Sequence, residues 1–203
     1  MKTFVFLMGM AFFFAFSPIN ASDTLSDRKV GSGEEVSKGK ILITIATSLG
    51  EITVELAQEK APLTVENFLR YSGEGFFDNL IFHRVIDGFM VQGGGFNAMM
   101  QPKKPFYSPI KNESSNGLKN KRGTIAKART QDPHSATSQF FINLVDNPSL
   151  DYSKRNEGYA VFGHVVEGME VVDKIAKTPT KVKGPFSDVP RETVLIKTVK
   201  ILD

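Results

Sequence analysis

The sequence predicts a mainly β fold, a closed antiparallel barrel of eight strands capped by two short α-helices. Three observations carry this. Apolar side chains alternate over short runs bounded by Gly, Asn, Asp and Pro, which is the strand pattern. Helical spacing recurs at only two places. A sheet of eight strands in one domain must also dispose of two exposed edges, and closure removes both. Composition agrees: 203 residues, 41% hydrophobic and 23% charged, suit one globular domain. Seventeen phenylalanines and 17 glycines without a tryptophan favour strands and turns over a helix bundle.

Along the chain, Met1-Lys2 is followed by an apolar run from Phe4 to Phe16 and then by Pro18-Ile19-Asn20-Ala21, a small-residue ending suited to cleavage. Residues 1–21 therefore read as a secretory signal, and the run falls short of the ~20 residues that span a bilayer. No stable membrane insertion is expected once it is removed, and no cysteine follows to carry a lipid. Residues 22–39 hold few apolar side chains and are expected to be a flexible leader. The folded domain is expected over residues 40–203. Ile41, Ile43 and Ile45, the turn Ser48-Leu49-Gly50, then Ile52, Val54 and Leu56 make a β-hairpin. Pro62 suits the first turn of a helix whose apolar face is Val65, Phe68 and Leu69, stopped at Gly73. Met169, Val172 and Ile175 mark a second helix over residues 169–176. The remaining strands are expected at 80–86, 89–92, 123–128, 139–143, 159–166 and 194–201.

Several chemistries are excluded or left without residues. The net charge of +3 comes from 25 basic and 22 acidic residues without a basic block, so nucleic acid is not an expected partner. The absence of cysteine excludes disulfides, thiolate catalysis and a cysteine zinc site. His83, His134 and His164 are far apart and match no ligand motif, so neither a metal nor another cofactor is expected. There is no Gly-x-Ser-x-Gly elbow, and Gly93-Gly94-Gly95 lacks the downstream helix of a nucleotide site; it reads as a tight bend in a barrel strand. No heptad run is present, and a monomer is expected.

Three segments carry a more specific signal: Phe82-His83-Arg84-Val85-Ile86-Asp87-Gly88-Phe89-Met90-Val91-Gln92-Gly93-Gly94-Gly95-Phe96, Ser138-Gln139-Phe140-Phe141-Ile142-Asn143, and Tyr159-Ala160-Val161-Phe162-Gly163-His164-Val165. In order and spacing they resemble the defining segments of the cyclophilins, from about Lys40 to Asp203. Gly123-Thr124-Ile125-Ala126 followed by Ala128-Arg129-Thr130 resembles the bacterial periplasmic branch. The resemblance implies a peptidyl-prolyl cis/trans isomerase that assists folding of exported proteins, with proline-containing polypeptides as partners and the periplasm, or the medium beyond it, as its place.

The chemistry is consistent with the residues. An amide resists rotation by ~18–20 kcal/mol because its nitrogen lone pair is shared with the carbonyl, and uncatalysed exchange at Xaa-Pro takes tens to hundreds of seconds. The resemblance implies that Arg84 donates to the prolyl nitrogen as it pyramidalises, with no proton transfer or covalent intermediate. A charge-assisted hydrogen bond gives roughly 1.5–3 kcal/mol, or about 10- to 150-fold, so a dry pocket that grips the twisted peptide must supply the rest. By residue match Phe89, with Met90, Phe141 and Leu150, forms the proline pocket and Tyr159 its rim. Gln92 bonds substrate and holds Arg84, Gln139 lies on the substrate side, and the backbone of Ala128-Arg129 receives the residue before proline. Period-2 geometry places Met90 with Gln92, and Gln139 with Phe141, while Phe140 turns to the core. His83 is expected to be structural and hydrogen-bonded in the barrel, and His164 to face solvent.

The chain departs from the family pattern in three places. Ser149 stands where many members have a tryptophan that supports binding of the family's cyclic undecapeptide inhibitor, so weak inhibition is expected. Tyr159 stands where histidine is common, and the loop 131–137 is one residue longer than its usual eukaryotic counterpart. Two rival functions remain at this stage: a proline-loop binding module, which would not require Arg84, and a small-molecule carrier, which would need an open barrel interior.

Overall fold

Alternation of isoleucine, valine and leucine with polar residues builds the first hairpin, β1 (Ile41–Thr47) and β2 (Gly50–Leu56), paired from Ile41 opposite Leu56 to Thr47 opposite Gly50. In its turn the Leu49 N–H donates to Thr47 Oγ1 at 3.0 Å, and that hydroxyl donates to the Gly50 carbonyl at 2.7 Å. This computed structural model describes residues 40–202; the expected signal (1–21) and leader (22–39) lie outside the described residues. Helix α1 (Pro62–Gly73) begins at its proline as expected. Ala61 supplies no side-chain cap, and the carboxylate of Glu113 instead accepts the Leu63 and Thr64 N–H groups at 3.1 and 2.8 Å.

Among the described residues the remaining elements are β3 (Leu80–Ile86), β4 (Met90–Asn97), β5 (Thr124–Lys127), β6 (Phe140–Asn143), β7 (Val161–Glu167), α2 (Met169–Ala176), β8 (Thr180–Lys183), β9 (Phe186–Pro190) and β10 (Leu195–Leu202), with a 3₁₀ turn over Pro148–Leu150. Eight strands close in the order β1-β10-β3-β4-β6-β5-β7-β2, every neighbouring pair antiparallel. The expected barrel and its two helices are thus present.

Two features differ in detail from the sequence reading. β8 and β9 form a separate hairpin that the apolar pattern does not announce, because β8 reads Thr-Lys-Val-Lys with Val182 exposed and so has no buried face of its own. The triple glycine does not end β4, which runs on to Asn97. Gly94 has φ +80° and a Cβ there would lie 3.0 Å from the Phe140 ring, so glycine both permits the backbone and admits the aromatic.

The barrel interior is filled by its own side chains. Ile43, Ile45, Ile52, Val54, Phe82, Val91, Ile125, Phe140, Ile142 and Phe162 are buried, and α1 adds Val65, Phe68 and Tyr71 while α2 adds Val171, Val172 and Ile175. Phe68 touches Phe77, Phe140 and Phe162 with centroids 5.0, 5.5 and 5.2 Å apart, in stacked, edge-on and tilted arrangements. This packing leaves no lumen for a hydrophobic cargo, and the carrier reading falls with it.

A lysine is buried within this apolar mass. Lys127, only 2% exposed, donates from Nζ to Asn67 Oδ1 and to the Thr137 carbonyl, both at 2.7 Å. The rings of Phe68, Phe162 and Tyr71 stand 5.5–5.9 Å from the nitrogen. They favour the ammonium form, but burial outweighs them and lowers the pKa from 10.5 to about 7. The unfolded chain therefore holds more protons than the folded one between about pH 7 and 10.5, and stability rises with pH across that window. Urea melts at pH 6, 8 and 10 are expected to show this rise, and Lys127→Met to flatten it while stabilising the protein below pH 7; a Met variant with the parental pH slope would show that another group is responsible.

Candidate active site

The same strands have a second face. Side chains of β4, β5 and β6 that point away from the barrel interior gather into a smaller apolar cluster, Met90, Ala126 and Phe141, joined by Val161 of β7. Ile86, Phe89, Leu118, Ala128, Leu150 and Tyr159 pack around it. Above this cluster lies a concave pocket of about 120 Å³ lined by Arg84, Phe89, Met90, Gln92, Ala128, Arg129, Phe141, Leu150 and Tyr159. Nine of the ten residues expected to form the site thus line one cavity. It is on the barrel's outer wall.

The tenth, Gln139, lies one step behind. Gln92 Nε2 donates to Gln139 Oε1 at 2.9 Å. Gly95 makes room for it, since a Cβ at Gly95 would fall 2.6 Å from the Gln139 side chain. Gln139 therefore orients Gln92 from behind the pocket wall. Among the described residues no hydrogen bond joins Gln92 to Arg84, and the Oε1 of Gln92, the atom a guanidinium would donate to, is left free by the bond to Gln139. Arg84 and Gln92 are opposite one another on β3 and β4, but the resolved partner of Arg84 is Asp188 of β9, whose Oδ2 lies 3.8 Å from Arg84 Nε.

His83, next to Arg84, is 3% exposed and structural as expected. Burial first, and the charge of Arg84 second, lower its pKa to about 4, so the ring is neutral and adds no positive charge beside the guanidinium. Its Nδ1 has no hydrogen-bond partner among the described residues. A hydrogen bond to the Ile81 backbone opposes the fall in pKa, and the ring packs against Phe96 at 4.5 Å and Phe186 at 6.4 Å. His164 is exposed, as expected.

The rim is built from aromatic and cationic contacts. Phe141 meets Tyr159 edge-on at 5.7 Å, and the Arg129 guanidinium lies 4.5 Å over the Tyr159 ring. Arg129 Nε donates to the Gly158 carbonyl at 3.0 Å and Nη1 to the Thr130 carbonyl at 2.8 Å, which fix the side chain across the pocket mouth. Ser149, on the 3₁₀ turn, is exposed and contributes no lining.

Three buried asparagines that the sequence reading did not single out hold this rim. Asn147 Nδ2 donates to the Phe89 carbonyl at 3.0 Å and to Asn143 Oδ1 at 2.8 Å. Asn143 donates to Asn120 Oδ1 at 3.2 Å, and Asn120 donates to the Leu150 carbonyl at 3.1 Å. The carbonyls of Phe89 and Leu150, two pocket residues far apart in sequence, are thus tied through one amide chain. The available signal was Asn143 at the end of an otherwise apolar strand, because a buried amide requires partners. Asn147→Ala is expected to lower stability by roughly 1–3 kcal/mol and to raise KM more than it lowers kcat, since it frees Phe89 without touching Arg84. Denaturant melts and steady-state kinetics check both parts.

Comparison with known proteins was consistent with this geometry. The family described as cyclophilin type peptidyl-prolyl cis-trans isomerase/CLD matches residues 42–201. Peptidyl-prolyl cis-trans isomerase B of Escherichia coli is 54% identical over 163 residues, covering 79% of this chain and 99% of its own. Peptidyl-prolyl cis-trans isomerase A of Dickeya dadantii is 52% identical over 160 residues, 79% of this chain and 84% of its own. A crystal structure of a Cryptosporidium parvum cyclophilin type isomerase, determined in the presence of the dipeptide Ala-Pro, superposes with a TM-score of 0.70 at 28% identity, covering 80% of this chain and 99% of that one. With its closed barrel, its outer-wall pocket and these matches, the chain belongs to the cyclophilin-type peptidyl-prolyl cis-trans isomerases.

Proposed function

We propose that this isomerase works on exported polypeptides, turning Xaa-Pro bonds in the pocket over Met90 and Phe141 with Arg84 as the catalytic donor. The observation that carries the reading is the convergence of Arg84 and Gln92 with the apolar side chains of Phe89, Met90, Phe141 and Leu150 on one cavity. The proline ring enters the apolar floor, which excludes water. Gln92, oriented by Gln139, bonds the substrate backbone on one side of the ring. The backbone at Ala128-Arg129 receives the residue before proline.

As the amide twists, the nitrogen lone pair leaves the carbonyl and becomes an acceptor. Arg84 donates to it, and this interaction exists only in the twisted state, so it raises kcat without tightening ground-state binding. The guanidinium stays charged throughout, and no proton changes hands. Nothing in the scheme calls on a metal or an organic cofactor. The cyclophilin solved with Ala-Pro supports proline-containing peptides as substrates.

The placement rests on the opening of the sequence, where one lysine, an apolar run and a small-residue ending precede a polar stretch. We place the mature protein in the periplasm as a monomer, assisting proline-limited folding there.

The test of the chemistry is the isomerisation rate of a short Xaa-Pro peptide with the purified chain and its Arg84→Ala and Arg84→Lys variants. Arg84→Ala is expected to lower kcat at least about 10-fold, in line with loss of one charge-assisted hydrogen bond, with KM little changed. Arg84→Lys should recover only part of it, because a lysine lacks the planar fork. Full activity in Arg84→Ala would leave the pocket as a proline-binding surface and remove Arg84 from the chemistry. Placement is tested separately: the protein should appear in the periplasmic fraction and shift to the cytoplasm when residues 1–21 are removed.

A further inference from the structure

The β8–β9 hairpin stands outside the barrel, yet it reaches the one charged side chain on which the chemistry is proposed to depend. It is anchored through Phe186, which meets Phe96 of β4 edge-on at 5.2 Å and approaches His83 of β3 at 6.4 Å. Two residues later Asp188 lies beside Arg84, with Oδ2 3.8 Å from Nε. Ser187 Oγ donates to the same carboxylate oxygen at 2.7 Å, which orders the acid. The pair is partly exposed, 43% for the Arg84 side chain and 30% for Asp188, and is the one ion pair of Arg84 among the described residues.

We propose that Asp188 is a positioning residue for Arg84, and that the hairpin exists at this edge of the pocket to present it. The inference rests on the reading of Arg84 as the catalytic donor. An arginine on an outer wall has many rotamers, and a donor must already be aimed before the brief twisted state forms. A carboxylate facing Nε restrains that edge of the guanidinium and leaves the Nη hydrogens to the substrate. Gln92, opposite Arg84 on β4, commits its Nε2 to Gln139, and no hydrogen bond from Arg84 to its Oε1 is formed among the described residues, which leaves Asp188 as the charged group that faces the guanidinium. The adjacent His83 is neutral and supplies neither an opposing nor a competing charge. An exposed pair of this kind adds little to global stability, so its effect should be read in turnover and not in melting.

Asp188→Ala, Asp188→Glu, Arg84→Ala and the Asp188→Ala/Arg84→Ala double variant of the full chain would be compared for kcat and KM on a short Ala-Pro peptide, with thermal melts as a check of folding. Asp188→Ala is expected to lower kcat about 3- to 10-fold with KM and melting unchanged, the size of a side chain losing its orientation. Asp188→Glu should recover most of the rate. In the Arg84→Ala background, removal of Asp188 should change nothing further, because the group it positions is gone. Asp188→Ala with parental kcat, when Arg84→Ala is impaired, overturns the positioning role and leaves the Arg84 reading intact. A loss that persists in the double variant also overturns it, by showing that the hairpin acts through the fold. Arg84→Ala with parental kcat would instead remove the reading on which the inference rests.

Discussion

Every strand has two faces, and in this protein both are committed. On β4, β5 and β6 one set of side chains, Val91, Ile125, Phe140 and Ile142, fills the barrel, while their immediate neighbours Met90, Ala126 and Phe141 form the floor of the pocket. A slip of one residue in any of these pairings would exchange the two sets, emptying the core and filling the site. The site is therefore fixed by the same register that closes the barrel: Met90 opposite Asn143, Gln92 opposite Phe141, and Ala126 opposite Phe141. Rigidity of the floor follows from the fold and requires no device of its own.

The rim has no such guarantee, because it is built from loops. There the structure uses buried amides. Asn120, Asn143 and Asn147 link the Phe89 carbonyl to the Leu150 carbonyl, and the Tyr159 N–H donates to the Leu150 carbonyl at 2.9 Å. Such a chain is costly to bury when incomplete and specific when satisfied, which suits a position where geometry matters more than net stability. Arg129, laid across Tyr159 and bonded to two carbonyls, extends the same logic to a charged side chain.

Charge is managed differently on the two sides of the wall. Inside, Lys127 is met by an amide oxygen, a carbonyl and aromatic faces, without a carboxylate among its hydrogen-bond partners, and its proton becomes labile near neutral pH. Outside, the Arg84 guanidinium on the pocket wall faces a carboxylate, Asp188 Oδ2, 3.8 Å from its Nε. Burial makes His83 neutral and so adds no positive charge beside Arg84 on β3.

The sequence by itself determined the barrel, both helices and the pocket floor. Alternation on Ile41–Thr47, Gly50–Leu56 and Leu80–Ile86, and helical spacing at Met169–Ala176, are local patterns that a core of one thickness reads directly. The three motifs, through their resemblance to the cyclophilins, point to Arg84, Gln92, Phe141 and Tyr159. What only the tertiary structure decided were the contacts between residues distant along the chain: Glu113 capping a helix 50 positions away, Gln139 behind Gln92, the asparagine chain under the rim, and the hairpin that brings Asp188 to Arg84. The reason is physical. Hydrophobic burial imprints a period on each segment, whereas a single hydrogen bond or ion pair leaves no period, and its partner is set only when the strands have closed and brought the two groups within reach.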